Sequence, residues 1–106
     1  MKKIKKKLTK YNQDLMESLK DPEEACAYLK AALEESDMPE VFLLALRQVA
    51  EAHGMSQIAQ ATHLNRESLY KMLSKQGNPV LASLASILKT IGLKLSVEML
   101  VNRRAA

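Results

Sequence analysis

The sequence predicts an all-α domain of five to six helices, followed by a short β-strand at about residues 93–98. Apolar residues make up 47% of the 106 residues but aromatic residues only 4%, so the core must be built from Leu, Ala, Met, Ile and Val. Apolar residues recur at i, i+3 and i+4 spacing, the period of a helix with one buried face. Three Gly and three Pro are too few turn formers for a many-stranded fold.

Charge divides the chain into three parts. Residues 1–20 hold seven Lys against two acids, residues 21–54 hold eight acids against two cations, and residues 55–106 hold seven cations against two acids. We expect residues 1–10, with six Lys, to be a basic flexible tail that either aids solubility or adds phosphate contacts. Residues 11–106 form the single helical domain. A basic half beside an acidic helical part predicts two surfaces with different partners.

Helix starts and stops follow from capping residues. Residues 12–20 predict a short helix, and Asp21 with Pro22 predicts the start of the next. A third helix is expected from about Pro39 to His53, ended by Gly54 and central because it is apolar on more than one face. Two further helices are predicted at 57–62, capped by Ser56, and at 66–74, capped by Asn65. After a break at 76–79, a last helix is expected at about 79–91, ended by Gly92.

Two apolar stripes are predicted to face the core. The stripe of the second helix consists of Ala25, Cys26, Leu29, Ala32 and Leu33, and that of the last helix of Leu81, Leu84, Ala85, Leu88 and Ile91. Cys26 is the one cysteine, so no intramolecular disulfide is expected, and its place on a stripe favours a buried small hydrophobe over a reactive thiol.

The period changes after Gly92. Leu93, Leu95 and Val97 alternate with polar residues, which is typical of a strand. A lone strand has unpaired backbone groups. Its partner would be a symmetry mate, the N-terminal segment or another protein, and pairing across a two-fold axis would make the chain a homodimer.

Residues 56–74 predict two short helices joined by a tight corner, a helix-turn-helix. Ala59 provides the small residue where the helices cross, and Ile58, Leu64, Leu69, Met72 and Leu73 have the spacing that pins both helices to the core. His63 occupies the corner position where Gly is usual, so a slightly different or strained corner is expected.

A helix in this position would place its outer face in the major groove of double-stranded DNA. Arg66 matches guanine O6 and N7, and Glu67 matches cytosine N4. Ser68 suits either kind of base pair, and Tyr70 suits a thymine methyl or a phosphate. Backbone contacts are expected from Lys71, Lys75 and Gln57. The full candidate set is Gln57, Asn65, Arg66, Glu67, Ser68, Tyr70, Lys71, Ser74 and Lys75.

Other chemistry finds no support in the residues. Two His and one Cys do not have zinc-site spacing, no Gly-rich phosphate loop is present, and no Ser–His–Asp arrangement is suggested. We therefore expect no cofactor, no metal and no enzymatic activity. No apolar run reaches the ~20 residues that span a bilayer, and polar residues follow the basic start where a signal peptide would be apolar, which favours the cytoplasm.

Residues 40–98 resemble the Cro/lambda-repressor class of helix-turn-helix domains. More closely, the motifs GMSQIA, NRESLYKMLS, GNP and GLKLSV, with KYN and DPEEACAYLKAALEE upstream, resemble the probable addiction-module antidote proteins of bacterial toxin–antitoxin pairs. The resemblance covers roughly residues 9–100. It implies a lambda-repressor-like fold, a RelE/ParE-type toxin as partner and repression of the shared operon.

The functional prediction is a dimeric, sequence-specific DNA-binding antitoxin that neutralises its toxin and represses its own operon. Two alternatives stay open. One is a stand-alone, phage-type transcriptional repressor with no toxin partner. The other is a protein-interaction module in which the corner is only structural.

Overall fold

The computed structural model describes residues 11–101, and these are all-helical. Six helices are present in this range: α1, helical at residues 11–18, α2 (Pro22–Glu35), α3 (Pro39–His53), α4 (Met55–Thr62), α5 (Arg66–Met72) and α6 (Leu81–Ile91). The predicted basic tail at 1–10 and the last five residues lie outside the described residues.

The helix starts show which predicted caps are used. Asp21 caps α2, since its Oδ1 accepts a hydrogen bond from the Glu23 amide at 3.1 Å, and Pro22 follows in the first turn. Pro39 begins α3 as predicted, and Ser36 Oγ accepts from the Met38 amide at 3.0 Å in the preceding turn. The predicted bounds of α3 are confirmed.

The boundary between α3 and α4 was predicted only in part. Gly54 ends α3, with φ of 122° and its amide donating to the Ala50 carbonyl at 2.9 Å. The same glycine is the N-cap of α4, which begins at Met55, so the predicted cap by Ser56 is wrong and its side chain makes no capping bond. The two helices share a single joint residue, which leaves no room for a separate cap.

α3 lies at the centre of the domain, as its pattern predicts. It packs against α2, α4 and α6, and Leu46, Val49 and Ala50 are completely buried. The other completely buried large residues are Ile58, Leu69, Leu73 and Ile87, from α4, the α5 end and α6. This core holds the α4–α5 pair against the rest of the domain.

Both predicted stripes are only partly correct. Ala25 and Leu29 of α2 are buried, whereas Leu33 near its end is exposed, and Cys26 is half-buried. In α6, Leu88 and Ile91 are buried while Leu81, its first residue, is exposed, and the helix begins two residues later than expected. Gly92 ends α6 with φ of 101°, as predicted.

The predicted β-strand at 93–98 is absent from the described part of the chain. Leu93 packs partly against the core, and its amide donates to the Leu88 carbonyl at 2.8 Å. Leu95 is 43% exposed and Val97 is 96% exposed. An extended segment becomes a strand only when a second segment supplies ladder hydrogen bonds, and no part of residues 11–101 does so. In this same range, no helix is long and apolar enough to cross a membrane.

Candidate nucleic-acid interface

The corner between α4 and α5 is built around His63. This residue adopts the left-handed conformation, with φ of 61° and ψ of 29°, the one positive φ outside glycine among residues 11–101. Its amide and that of Leu64 both donate to the Ala59 carbonyl, so this carbonyl in the last turn of α4 is hydrogen-bonded. The unusual corner expected at His63 is therefore found in the backbone. His63 has a Cβ, yet it adopts a conformation that is usually adopted by Gly.

Asn65 starts α5. Its Oδ1 accepts a hydrogen bond from the Ser68 amide at 2.6 Å, which confirms the predicted cap. One lone pair of the side-chain oxygen is used inside the protein, which fixes the orientation of the side chain, and the NH₂ group of this predicted DNA-binding residue is left to donate elsewhere.

The inner faces of both helices are fixed by burial. Met55 and Ile58 of α4 are buried, Leu69 and Leu73 are completely buried, and Leu64 and Met72 pack partly against the same core. α4 also packs against α6 and α3. The pair is thus held at a fixed angle, so α5 presents one defined face to its surroundings.

The outer face carries the predicted polar residues, in two groups. The exposed group consists of Gln57, Asn65, Arg66, Glu67, Lys71 and Lys75, and the half-buried group of Ser68, Tyr70 and Ser74. The exposed group holds three cations and one acid, which gives a net positive face. Glu67 lies in the first turn of α5, where an acid also favours the helix dipole.

Two residues of the half-buried group are engaged within the domain. Ser74 Oγ donates to the Lys71 carbonyl at 2.7 Å, near the end of α5, where the Ser74 amide also donates to the same carbonyl at 3.3 Å. The ring of Tyr70 lies under the guanidinium of Arg47, whose Cζ is 5.2 Å from the ring centroid. These two side chains are held in place, so they are less free than Arg66 or Lys71 to adapt to a ligand.

Arg47 is the neighbour of this surface that sequence reasoning missed. It belongs to α3, is half-buried, and its Nε lies 3.7 Å from Glu51 Oε2 as well as over Tyr70. The i, i+4 pair with Glu51 can be read from the sequence, but the contact with a residue 23 positions later cannot, because it depends on how α3 crosses α5.

The predicted pairing segment lies apart from this face. Leu93, Leu95 and Val97 follow α6, and Glu98 forms an ion pair with Lys30 of α2 at 3.9 Å. Further along, Met99, Leu100 and Val101 are more than four-fifths exposed. Residues 99–101 therefore form an apolar segment without a packing partner in the described chain.

No group of His, Cys, Asp and Glu in residues 11–101 has the arrangement of a metal site. The candidate residues on α4 and α5 present hydrogen-bond donors, acceptors and positive charge on a rigid helix. Such a surface can bind a polyanion and distinguish base edges.

Comparison with known proteins gives a family match over most of the chain. Residues 8–99 match the family model described as probable addiction module antidote protein. An uncharacterized protein of Haemophilus influenzae is 40% identical over 85 residues, which span 80% of this chain and 87% of that protein. No solved structure matches.

Proposed function

We propose that this chain, which belongs to the family of probable addiction module antidote proteins, is a DNA-binding antitoxin that neutralises a cognate toxin and represses its own operon. The family implies the toxin partner. The DNA-binding half of the proposal is supported by one observation: α5 is held rigidly behind a tight corner with Arg66 and Lys71 exposed on its outer face, and Lys75 is exposed in the turn that follows.

In this proposal, α5 is the recognition helix of a lambda-repressor-like helix-turn-helix and enters the major groove of operator DNA. Arg66, at its first position, is the residue for bidentate contact with guanine, and Glu67 and Ser68 follow within the same turn. Lys71, Lys75 and Gln57 contact phosphates and fix the register without reading sequence.

The proposed protein acts as a symmetric dimer. Leu93, Leu95 and Val97 would pair with the same residues of a second copy, which would supply the ladder partner that the single chain lacks. Two recognition helices would then lie about 34 Å apart, one turn of DNA, and match an inverted repeat. We propose a toxin of the RelE/ParE type and assign the chain itself a binding role, not a catalytic one.

Operator binding is tested by titrating the native upstream DNA and a scrambled duplex of equal length, followed by fluorescence anisotropy at several salt concentrations. Arg66→Ala is expected to weaken operator binding by about 1–3 kcal/mol and to reduce the preference over scrambled DNA. Lys20→Ala is the matched control, since it removes one exposed cation that pairs with Glu17 and lies outside both α5 and the proposed dimer segment. Equal and weak affinity of the wild-type chain for both duplexes would contradict the proposal and favour a protein-interaction module.

The dimer is tested by sedimentation. Leu95→Pro removes a backbone donor from the proposed strand and is expected to give monomers with weak operator affinity, whereas Leu95→Ile should stay dimeric. A Leu95→Pro variant that remains a dimer would place the interface elsewhere.

The antitoxin role is tested by co-expression with the product of the neighbouring gene. Co-purification of the two proteins, together with rescue of cell growth, is the expected result. A chain that neither binds nor neutralises that product would favour the stand-alone repressor.

A further inference from the structure

We propose that the shallow groove between α2 and α3 is the surface that receives the toxin, and that its occupant is a basic amphipathic helix of that protein. This inference rests on the proposed antitoxin function and names the surface that performs it. The α2–α3 groove has a volume of about 590 Å³. The apolar part of its lining, called the floor below, includes Ala31, Ala32, Val41 and Leu44, and its charged lining residues are Glu35, Arg47 and Glu51.

The floor has the features of a helix-binding groove. Ala31 and Ala32 carry only a methyl group, which lets another backbone approach closely. Leu44 projects from α3 with 43% of its surface exposed, although it lies in the middle of the central helix of the domain. A single exposed leucine is ordinary on a protein surface. Inside a groove with small neighbours, however, it is the anchor around which an apolar helix face packs.

The charge around the groove selects a basic occupant. Glu35 is exposed at the end of α2 and has no cation beside it in the groove lining, whereas Glu51, near the opposite end, is paired with Arg47, which also lines the groove. The wider segment that forms both helices, residues 21–54, carries eight acids against two cations. A phosphate backbone would be repelled here, and a basic protein would be attracted and oriented. The opposite charge on α5 keeps the two partners on separate surfaces.

The length of the groove fits a short helix. From Val41 to Glu51, α3 advances ten residues, or about 15 Å at ~1.5 Å per residue. A partner helix of roughly three turns would cover the whole floor, with its apolar stripe on Leu44 and its cations toward the glutamates at both ends.

One end of the groove is closed by a fixed contact. The Tyr28 hydroxyl donates to Gln48 Oε1 and so joins α2 to α3 across the groove. The pKa of Tyr28 is raised, first by burial and then by Tyr11, while the side-chain hydrogen bond with Gln48 acts in the opposite direction. The two walls are therefore tied together before a partner arrives, which lowers the ordering cost of binding.

The test uses the full chain and the protein encoded by the neighbouring gene, isolated from the co-expressed complex and titrated back by calorimetry. Leu44→Glu places a charge on the floor and is expected to weaken binding by roughly 30-fold or more, the loss typical of a central anchor. Glu35→Lys is expected to weaken it by about threefold to tenfold and to flatten its salt dependence.

Matched controls separate the groove from general changes in charge or apolar surface. Glu34→Lys alters the adjacent glutamate of α2, which is exposed but does not line the groove, and should change the affinity by less than about twofold. Leu81→Glu alters an exposed leucine of α6 and should leave it unchanged. Circular dichroism and the melting temperature check that Leu44→Glu still folds, and Glu35→Lys tests the groove at a fully exposed position.

The outcomes distinguish the two levels of the proposal. If the wild-type chain binds no toxin, the antitoxin function itself fails. If the wild-type chain binds and both groove variants bind equally well, the function stands and the groove assignment is wrong. Equal losses in the controls would also overturn it. A change in the sedimentation of the chain alone on Leu44→Glu would assign the groove to a second copy instead.

Discussion

Replacing His63 by Gly is expected to stabilise the protein, although it removes a whole side chain. The left-handed conformation of His63 costs a residue with a Cβ about 1–2 kcal/mol. Gly avoids this cost but loses about 0.5–1 kcal/mol more backbone entropy on folding. The His63 side chain is exposed and, among residues 11–101, makes no hydrogen bond or ion pair, so its removal should cost little. The expected net gain is about 0.5–1 kcal/mol.

Urea denaturation followed by circular dichroism at 222 nm measures this gain, which corresponds to a rise of roughly 2–6 °C in Tm for a domain of this size. His63→Ala is the control, because it keeps the backbone cost and removes the ring, and it should lie within about 0.5 kcal/mol of the wild type. If His63→Gly lowers the free energy of unfolding, or His63→Ala lowers it by more than about 1 kcal/mol, the ring contributes contacts that outweigh the backbone cost and the explanation of the corner is wrong.

Three further changes test the elements around this corner. Asn65→Ala removes the cap of α5 and should lower the free energy of unfolding by about 1 kcal/mol in the same assay, with Asn65→Asp retaining most of the stability. Gly77→Ala should destabilise by at least ~1 kcal/mol, because the added Cβ would lie 1.9 Å from the Met72 carbonyl oxygen; an unchanged melting temperature would show that the loop shifts freely. Tyr28→Phe should abolish a loss of stability at high pH. The pKa of Tyr28 is higher in the folded protein, so the unfolded chain releases this proton first as the pH rises. The free energy of unfolding is therefore intact below pH 10.0 and falls as the pH rises through the pKa of the folded state. Parallel stability–pH curves for the two proteins above pH 10.0 would contradict that assignment.

Local chemistry made much of the helical framework predictable. Asp21, Asn65 and Gly92 mark helix ends through their own side chains or backbone freedom, so the sequence alone indicates where those helices begin and stop. The unusual corner at His63 could also be predicted, because the spacing of buried residues on both sides requires a turn at that position.

Features that depend on neighbours were harder to predict. Leu33 and Leu81 follow the helical period of their stripes, yet both are exposed, since periodicity identifies a face but not how far the next helix extends. Ser56 is a good cap by type, but Gly54 is already the N-cap and Ser56 lies within the first turn of α4. The strand at 93–98 was inferred from alternation alone, and alternation does not supply the second strand that a ladder needs.

The candidate surfaces also include features that a local sequence pattern predicts and features that it does not. The polar outer face of α5 follows from the period of one helix, and its exposure agrees with that pattern for Arg66 and Lys71. The position of Arg47 over Tyr70 joins helices that are far apart in sequence, and the groove beside Leu44 depends on how α2 and α3 pack against each other after their short connection. Neither has a local signal.

Arg47 gives the two proposed surfaces a common residue. It lines the α2–α3 groove and also holds the Tyr70 ring of α5. A partner helix whose cations compete for Glu51 would change the restraint on Arg47, and hence the position of Tyr70 beside the residues proposed to contact DNA. Thermodynamic linkage then requires reciprocity: if toxin binding alters operator affinity by some factor, operator binding must alter toxin affinity by the same factor. Arg47→Lys, which keeps the charge but loses the planar stacking group, is expected to reduce that coupling.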